Sequence, residues 1–380
     1  MLMKKQVLIL ASLLFFFSCR SDDPITVDED TQQPAEPDTE NVLKGFYLLN
    51  EGNMSMNKAS LDYMDFETGE YTHDRFTSAN PLEVGGLGDV GNDIGIYGSK
   101  MYVVVNASNK VEVLDAETGV KLKQIDVNNC RYITFYNGKA YLSTYLGEIG
   151  DYSATEGQVH EIDTTSLSIT RRVDVGRQPE ELVAYNNKIY VANSGGYSPP
   201  DYESTISVID IESFTETNRI EVAINLHRLK IDSEGDLYVS SRGDYFETPS
   251  KLYVIDTATE TVKKEFDLAV SNMTIHNDIA YIYSTAFNYF TGENVISYNK
   301  LDTTTETILD DSFIAEGNED LIQIPYGIAI NPDTEDIYIT DAKDYVSPGD
   351  LYCFDSDGEF KWKVVTGDIP AKIQFVYQPE

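Results

Sequence analysis

Four histidines, His73, His160, His227 and His276, are spread through a chain of 380 residues. Acid–base and metal chemistry lean on histidine, but none of these four stands in a motif that assembles it with a partner. The chain has no Gly-x-Ser-x-Gly to raise a serine on a strand-to-helix elbow, no His-x-x-x-His pair and no glycine loop of the phosphate-cradling kind. Acidic turns such as Asp333-Thr334-Glu335-Asp336 lack the ligand spacing of a calcium cage. A metal-dependent hydrolase would need Glu, Asn and Asp to converge. Glu180, Asn92 and Asn272 offer part of such a set, so that reading stays open behind a non-enzymatic one.

Aromatic residues in polar stretches offer a different chemistry. Tyr145, Tyr152, Tyr197, Tyr202, Tyr245, Phe246, Phe287, Tyr289, Phe290 and Tyr345 all fall between β-forming runs, where large apolar side chains are usually sparse. Aromatics with a polar handle suit stacking on a broad ligand, and they equally suit packing back onto their own scaffold. Asn92, Arg131, Glu180, His227, Asn272, Tyr326 and Lys372 recur just ahead of short apolar runs. Arg177, Arg242 and Asn106 stand in or next to the same connecting segments. These cations could meet a phosphate or a carbonyl-rich ligand, or pair with the abundant carboxylates.

What positions these residues is a repeat. Tyrosines at 47, 102, 141, 190, 238, 281 and 338 each sit in a β-branched run, as in Met101-Tyr102-Val103-Val104-Val105. A second run follows each and ends in an aspartate, at 65, 115, 163, 210, 256, 302 and 355, that can open a tight turn. A more polar strand comes next. A short apolar strand precedes six of the tyrosine strands, with cores at 94–96, 133–135, 182–184, 229–231, 273–275 and 328–330. The seventh copy, Ile373-Gln374-Phe375, stands at the far C-terminus. Seven four-stranded units with one split between the two ends predict an all-β, seven-bladed β-propeller in which the C-terminal strand completes the first blade. With strands lettered a to d outward from the axis, the d–a and b–c connections share one face. The b–c connections vary most in length and carry the aromatics, so that face is the expected binding face.

The N-terminus reads as an export signal. Lys4 and Lys5 precede an apolar run, 7–17, too short to span a bilayer, and Ser18-Cys19 follows like a lipobox. Residues 1–18 are the expected lipoprotein signal peptide, Cys19 the lipidation site, 19–43 an acidic disordered tether and 44–380 the propeller. The formal charge is −36. Losing two lysines with residues 1–18 would take it to −38, which excludes a nucleic-acid partner on electrostatic grounds. The two remaining cysteines, Cys130 and Cys353, fall in different repeats and predict no disulfide.

The x-Tyr-Val-x-Asn and Val-x-Asp-x-x-Thr signatures, with Arg177-Gln178-Pro179-Glu180 after Val175-Gly176, resemble YncE-like propellers over residues 45–377. The lipobox, the acidic run Ser21-Asp22-Asp23 and the tyrosine-rich propeller together resemble the surface cobalamin-binding lipoproteins of Bacteroides-type bacteria. That resemblance implies a lipid-anchored protein of the outer-membrane surface. It would capture cobalamin or a related corrinoid as ligand, use no cofactor of its own, and pass the ligand to a TonB-dependent transporter. It carries no residue-by-residue site, so the site residues expected here come from loop position alone. A glycan- or protein-binding scaffold and a metal-dependent lactonase-type hydrolase are the alternatives.

Overall fold

The computed structural model describes residues 41–150, 153, 156–196, 198–288 and 293–379. Alternation along one strand shows how the blades are joined. In the strand Asn41–Asn50, Phe46 and Leu48 point one way and Tyr47 and Leu49 the other, as period-two geometry requires. Phe46 and Leu48 pack with Tyr338, Leu351 and Cys353 of the last repeat. Tyr47 and Leu49 pack with Ile94, Met101 and Val103 of the second. All four side chains are fully buried. The strand thus has no solvated face, which is why it reads as a nearly continuous apolar run.

The same tyrosine does the same work in each repeat. Tyr102 packs against Ile133 and Leu142 of the third repeat, Tyr190 against Leu237 and Val239 of the fifth, and Tyr238 against Ala280 and Ile282 of the sixth. The Tyr238 hydroxyl donates to the Thr303 carbonyl at 3.1 Å, so ring and hydroxyl both tie one blade to the next. In the sixth blade Tyr283 takes the fully buried place, and Tyr281, half-buried, stacks edge-on against Phe313.

Seven four-stranded antiparallel sheets result. Their innermost strands are Gly91–Tyr97, Cys130–Tyr136, Pro179–Tyr185, Leu226–Ile231, Asn272–His276, Pro325–Ile330 and, closing the ring, Pro370–Pro379. Ile373 lies opposite Leu48 and Phe375 opposite Phe46 in the closing ladder. The sequence-predicted seven-bladed propeller, split blade included, is the observed architecture. The ladder starts at Asn41, paired with Pro379, three residues earlier than the expected boundary at 44. A bulge at Gly45 explains the early start being missed: a Cβ there would lie 2.0 Å from the Met64 carbonyl, so glycine marks a close approach inside the strand, not its beginning.

Two connections are longer than the repeat required. Residues 73–90 join the first two blades through the short helix Arg75–Ala79, and residues 309–324 join the sixth and seventh through a 3₁₀ turn, Glu319–Leu321. Cys130 and Cys353 are buried and free. No helix among the described residues is long and apolar enough to cross a membrane.

Candidate functional site: the channel mouth and its loops

Each innermost strand enters the channel from the same face, so its first residues form rings around the axis. Asn92, Arg131, Glu180, His227 and Tyr326 hold the outer ring. Asp93, Tyr132, Glu181, Arg228, Asn272 and Lys372 lie one step deeper, as the shared ladder register shows. The rim is a network of buried ion pairs. Arg131 donates to Glu180 Oε2 at 2.9 Å and to the Asn92 side-chain oxygen at 2.7 Å. Arg242 donates to Glu180 Oε1 at 3.3 Å, and the Tyr145 hydroxyl donates to the same oxygen at 2.8 Å. Burial would raise the Glu180 carboxyl, but Arg131 and Arg242 together hold it below the ordinary value. Arg131 also lies 5.0 Å from the Tyr145 ring centroid, a cation–π contact.

One step deeper, Glu181 accepts from Arg228 Nη1 at 3.0 Å and Lys230 Nζ at 2.6 Å, and the nearby cations bring its carboxyl down to about 2 against the pull of burial. Lys372 pairs with Asp93. His227 Nε2 is 3.0 Å from the Tyr132 hydroxyl, and burial beside Arg242, Arg228 and Arg131 depresses its pKa, which keeps it neutral. Glu51, which the sequence reading overlooked, accepts from the Tyr326 hydroxyl at 2.9 Å, and burial pushes its carboxyl up to about 7. Its cue was faint: a single Glu directly after a tyrosine strand.

The loops on this face present aromatics by a repeated device. In the fifth blade Asp244 Oδ1 accepts the backbone N–H groups of Phe246, Glu247 and Thr248 at 2.8–2.9 Å. In the seventh, Asp344 Oδ1 accepts those of Val346 and Ser347 at 3.0 and 2.7 Å. Both turns hold the next tyrosine at positive φ, 65° at Tyr245 and 62° at Tyr345, a conformation that costs energy unless local bonds fix it. Tyr245 is 67% exposed and Phe246 92%; Tyr345 and Val346 also stand out of the loop. Gly243 begins the first turn, where a Cβ would lie 2.0 Å from the Thr248 carbonyl. The Asp-Tyr pair followed by an apolar residue is a signal the sequence carried and the reading did not use; it would have added Val346.

The other expected residues divide. Tyr202 is half-buried beside Tyr245 and Asp244. Arg177 binds Glu203 Oε1 at 3.2 Å and the Asp201 carbonyl at 2.8 Å, so it pins the loop that carries Tyr202. Asn106 corrects the expectation that it faces ligand: it is 3% exposed, and its amide donates to Asn129 and to the Cys130 carbonyl, joining two blades behind the rim. Tyr145 is buried against Arg131 and Glu180 and acts as a support. Arg131, Arg177, Arg242 and Lys372, expected either to meet an anion or to pair with carboxylates, each have a carboxylate partner. Tyr152, Tyr197, Tyr289, Phe290 and Cys19, and the side chain of Phe287, lie outside the described residues.

A cavity of about 270 Å³ runs down the axis from Glu51 and Asn92 past Tyr132 and Arg228 to Phe375. A wider cleft of about 540 Å³ opens on the opposite face between Phe66, Tyr71 and Trp362. Asp336 there holds Lys361 and Asp65 caps its own turn; the axial cavity, lined by Glu51, Glu181, Arg228, Lys230 and Lys372, carries both signs of charge and is the better candidate. Among the described residues no group of three His, Cys, Asp or Glu could hold a metal ion.

Fold and mouth together define a seven-bladed propeller with exposed aromatic residues on the loops of one rim. More narrowly, residues 44–368 match the model of a domain of unknown function, DUF5074, and the chain belongs to that family. No curated protein matches. Several solved structures are similar in fold. A hypothetical selenium-binding protein from Sulfolobus tokodaii is 10% identical at a TM-score of 0.63, over 89% of this chain and 94% of its own. A candidate 6-phosphogluconolactonase from Bacteroides fragilis is 13% identical at 0.61, over 90% and 100%. A quinonprotein alcohol dehydrogenase-like protein from Bacteroides thetaiotaomicron is 17% identical at 0.59, over 88% and 79%. At these identities the likeness establishes the propeller and nothing about the ligand.

Proposed function

We propose that this propeller is a capture protein that takes cobalamin or a related corrinoid on its b–c loop face, from a lipid anchor at Cys19 on the outer-membrane surface, and passes it to a TonB-dependent transporter. The observation that carries the reading is the pair of rigid Asp-Tyr turns, which hold Tyr245, Phe246, Tyr345 and Val346 exposed around a wide polar mouth. A corrinoid is broad, with apolar patches and an amide rim. Exposed rings can stack on it, and the tyrosine hydroxyls and rim amides such as Asn92 can bond around its edge. Order imposed before binding lowers the entropic cost of association. Binding without catalysis is part of the proposal: Glu180, the carboxylate a metal-dependent hydrolase would need, already accepts from two arginines and a tyrosine.

Calorimetric titration with cyanocobalamin tests this. Wild type should bind, and Tyr245→Ala with Phe246→Ala should weaken binding by about 1–4 kcal/mol, the range of interface anchors, with unfolding unchanged. Charge reversal at Glu67, Glu117 and Glu212, exposed on the other face, should leave the titration as it was. No heat from the wild type would overturn the corrinoid reading and leave the same face as a glycan- or protein-binding scaffold.

A further inference from the structure

Cations outnumber ionised carboxylates along the axis of this strongly acidic chain. Arg131 and Arg242 share Glu180, Arg228 and Lys230 share Glu181, and Lys372 has Asp93. Five cations therefore face three paired carboxylates, with Glu51 as a fourth acid at the mouth. The deeper group is tight: Arg228, Lys230 and Lys372 all act on Glu181, and burial, helped by Lys372 and Arg228, depresses the Lys230 pKa. Like charges gathered this closely at the wall of a narrow cavity, partly withdrawn from solvent, cost free energy unless an anion offsets them. Arg228 Nε, buried, has no hydrogen-bond partner among the described residues, although its Nη1 is engaged. An unmet buried guanidinium N–H is the kind of exception that calls for a partner, and Arg228 is one of the residues that line the axial cavity.

We infer that the axial cavity is a second binding site, for a small dianion carrying phosphate or paired carboxylate oxygens, seated among Arg228, Lys230 and Lys372 beneath the mouth. At about 270 Å³ the cavity falls just below the range of about 300–1,000 Å³ typical of drug-sized ligands, which sets the class at small anions. Arg228 supplies a planar donor to one oxygen, and the two lysines supply point charges. Tyr132 and Asn272 add a hydroxyl and an amide to the wall. The site lies below the loops proposed for the corrinoid and does not depend on that reading.

Glu51 makes the site responsive to pH. It faces the Tyr326 hydroxyl, with Tyr345 close by and Arg228 and Arg131 acting on it from two further blades; Lys372, Glu181 and Tyr132 line the same cavity. Its ionisation on going from pH 6 to pH 8 adds a negative charge at the entrance and weakens anion binding.

Titrations of the full chain with orthophosphate, succinate and sulfate, without any corrinoid, test the site. Saturable one-to-one binding of orthophosphate alone identifies a phosphate ligand, and of succinate alone a dicarboxylate. Arg228→Gln and Lys372→Met should each weaken binding at least tenfold, and Lys123→Met, on an exposed outer strand, should not. Glu181→Gln removes the competing carboxylate and should tighten binding at least threefold, a gain that a damaged fold would not produce. Sulfate, which does not titrate in this range, should bind several-fold more weakly at pH 8 than at pH 6 in the wild type and equally in Glu51→Gln. Absence of saturable binding by all three anions, or wild-type affinity in both Arg228→Gln and Glu181→Gln, overturns the inference.

Discussion

Ile373, seven residues from the C-terminus, lies directly opposite Leu48, near the start of the propeller, and both are buried in the core shared by the first and last blades. The ring is therefore fastened by a strand made last and a strand made first. Deleting residues 370–380 should expose Phe46 and Leu48 and leave an unpaired sheet edge. Removing one buried large side chain costs about 2–5 kcal/mol, and this deletion removes Ile373 and Val376 together with a ladder of backbone bonds. Ile373→Ala alone should lower the urea midpoint measurably. A truncated protein that melts with the wild type would contradict the closure.

That closure was legible in the sequence because it rests on pattern. Seven tyrosine strands, seven aspartate-ended strands and a stray innermost strand admit few arrangements that bury every apolar run, and loop sequence hardly enters. The insertion at 73–90 was not legible. Leu82 and Val84 are fully or nearly fully exposed there, and nothing in a blade-by-blade repeat predicts a segment lying outside it. The rim was half legible: position placed Arg131, Glu180, His227 and Tyr326 together, but pairing geometry, which has no sequence period, decided which carboxylate each cation meets.

Glu180 is 2% exposed and is the shared acceptor of Arg131, Arg242 and Tyr145. Glu180→Ala would leave two guanidinium groups without their carboxylate in a buried place, at a cost of about 3–5 kcal/mol. Arg131→Met should cost less, because Glu180 keeps Arg242 and Tyr145. Denaturant unfolding of the two variants gives the order directly, and equal midpoints would show that the network is not centred on Glu180.

The expected lipid anchor has a separate test. Cys19→Ala should release the protein from the membrane fraction, and antibody should label intact cells that make the wild type. Labelling confined to lysed cells would remove the surface placement while leaving the proposed binding face untouched.

Acid and base should act on this propeller through two carboxylates of opposite behaviour. Glu181 has a folded pKa of about 2, below its ordinary 4.5, so its pairing with Arg228 and Lys230 contributes stability above pH 4.5 that is lost as pH falls towards 2. Glu51 is raised from 4.5 to about 7, so the folded state holds its proton more tightly than the unfolded chain. Between pH 4.5 and 7 the folded protein then binds the extra proton, and stability falls as pH rises. One pKa unit corresponds to about 1.4 kcal/mol; with Glu51 only partly buried, its ionisation should cost about 2 kcal/mol by pH 8. Glu51→Gln, which keeps an acceptor for the Tyr326 hydroxyl, should therefore melt higher than wild type at pH 8 and nearly with it at pH 5. Glu181→Gln should melt lower than wild type at pH 7, with the gap closing as the pH approaches 2. Parallel melting curves for wild type and Glu51→Gln across pH 5 to 8 would show that Glu51 is ionised throughout, and that its bond to Tyr326 is an ordinary one to a carboxylate in contact with water.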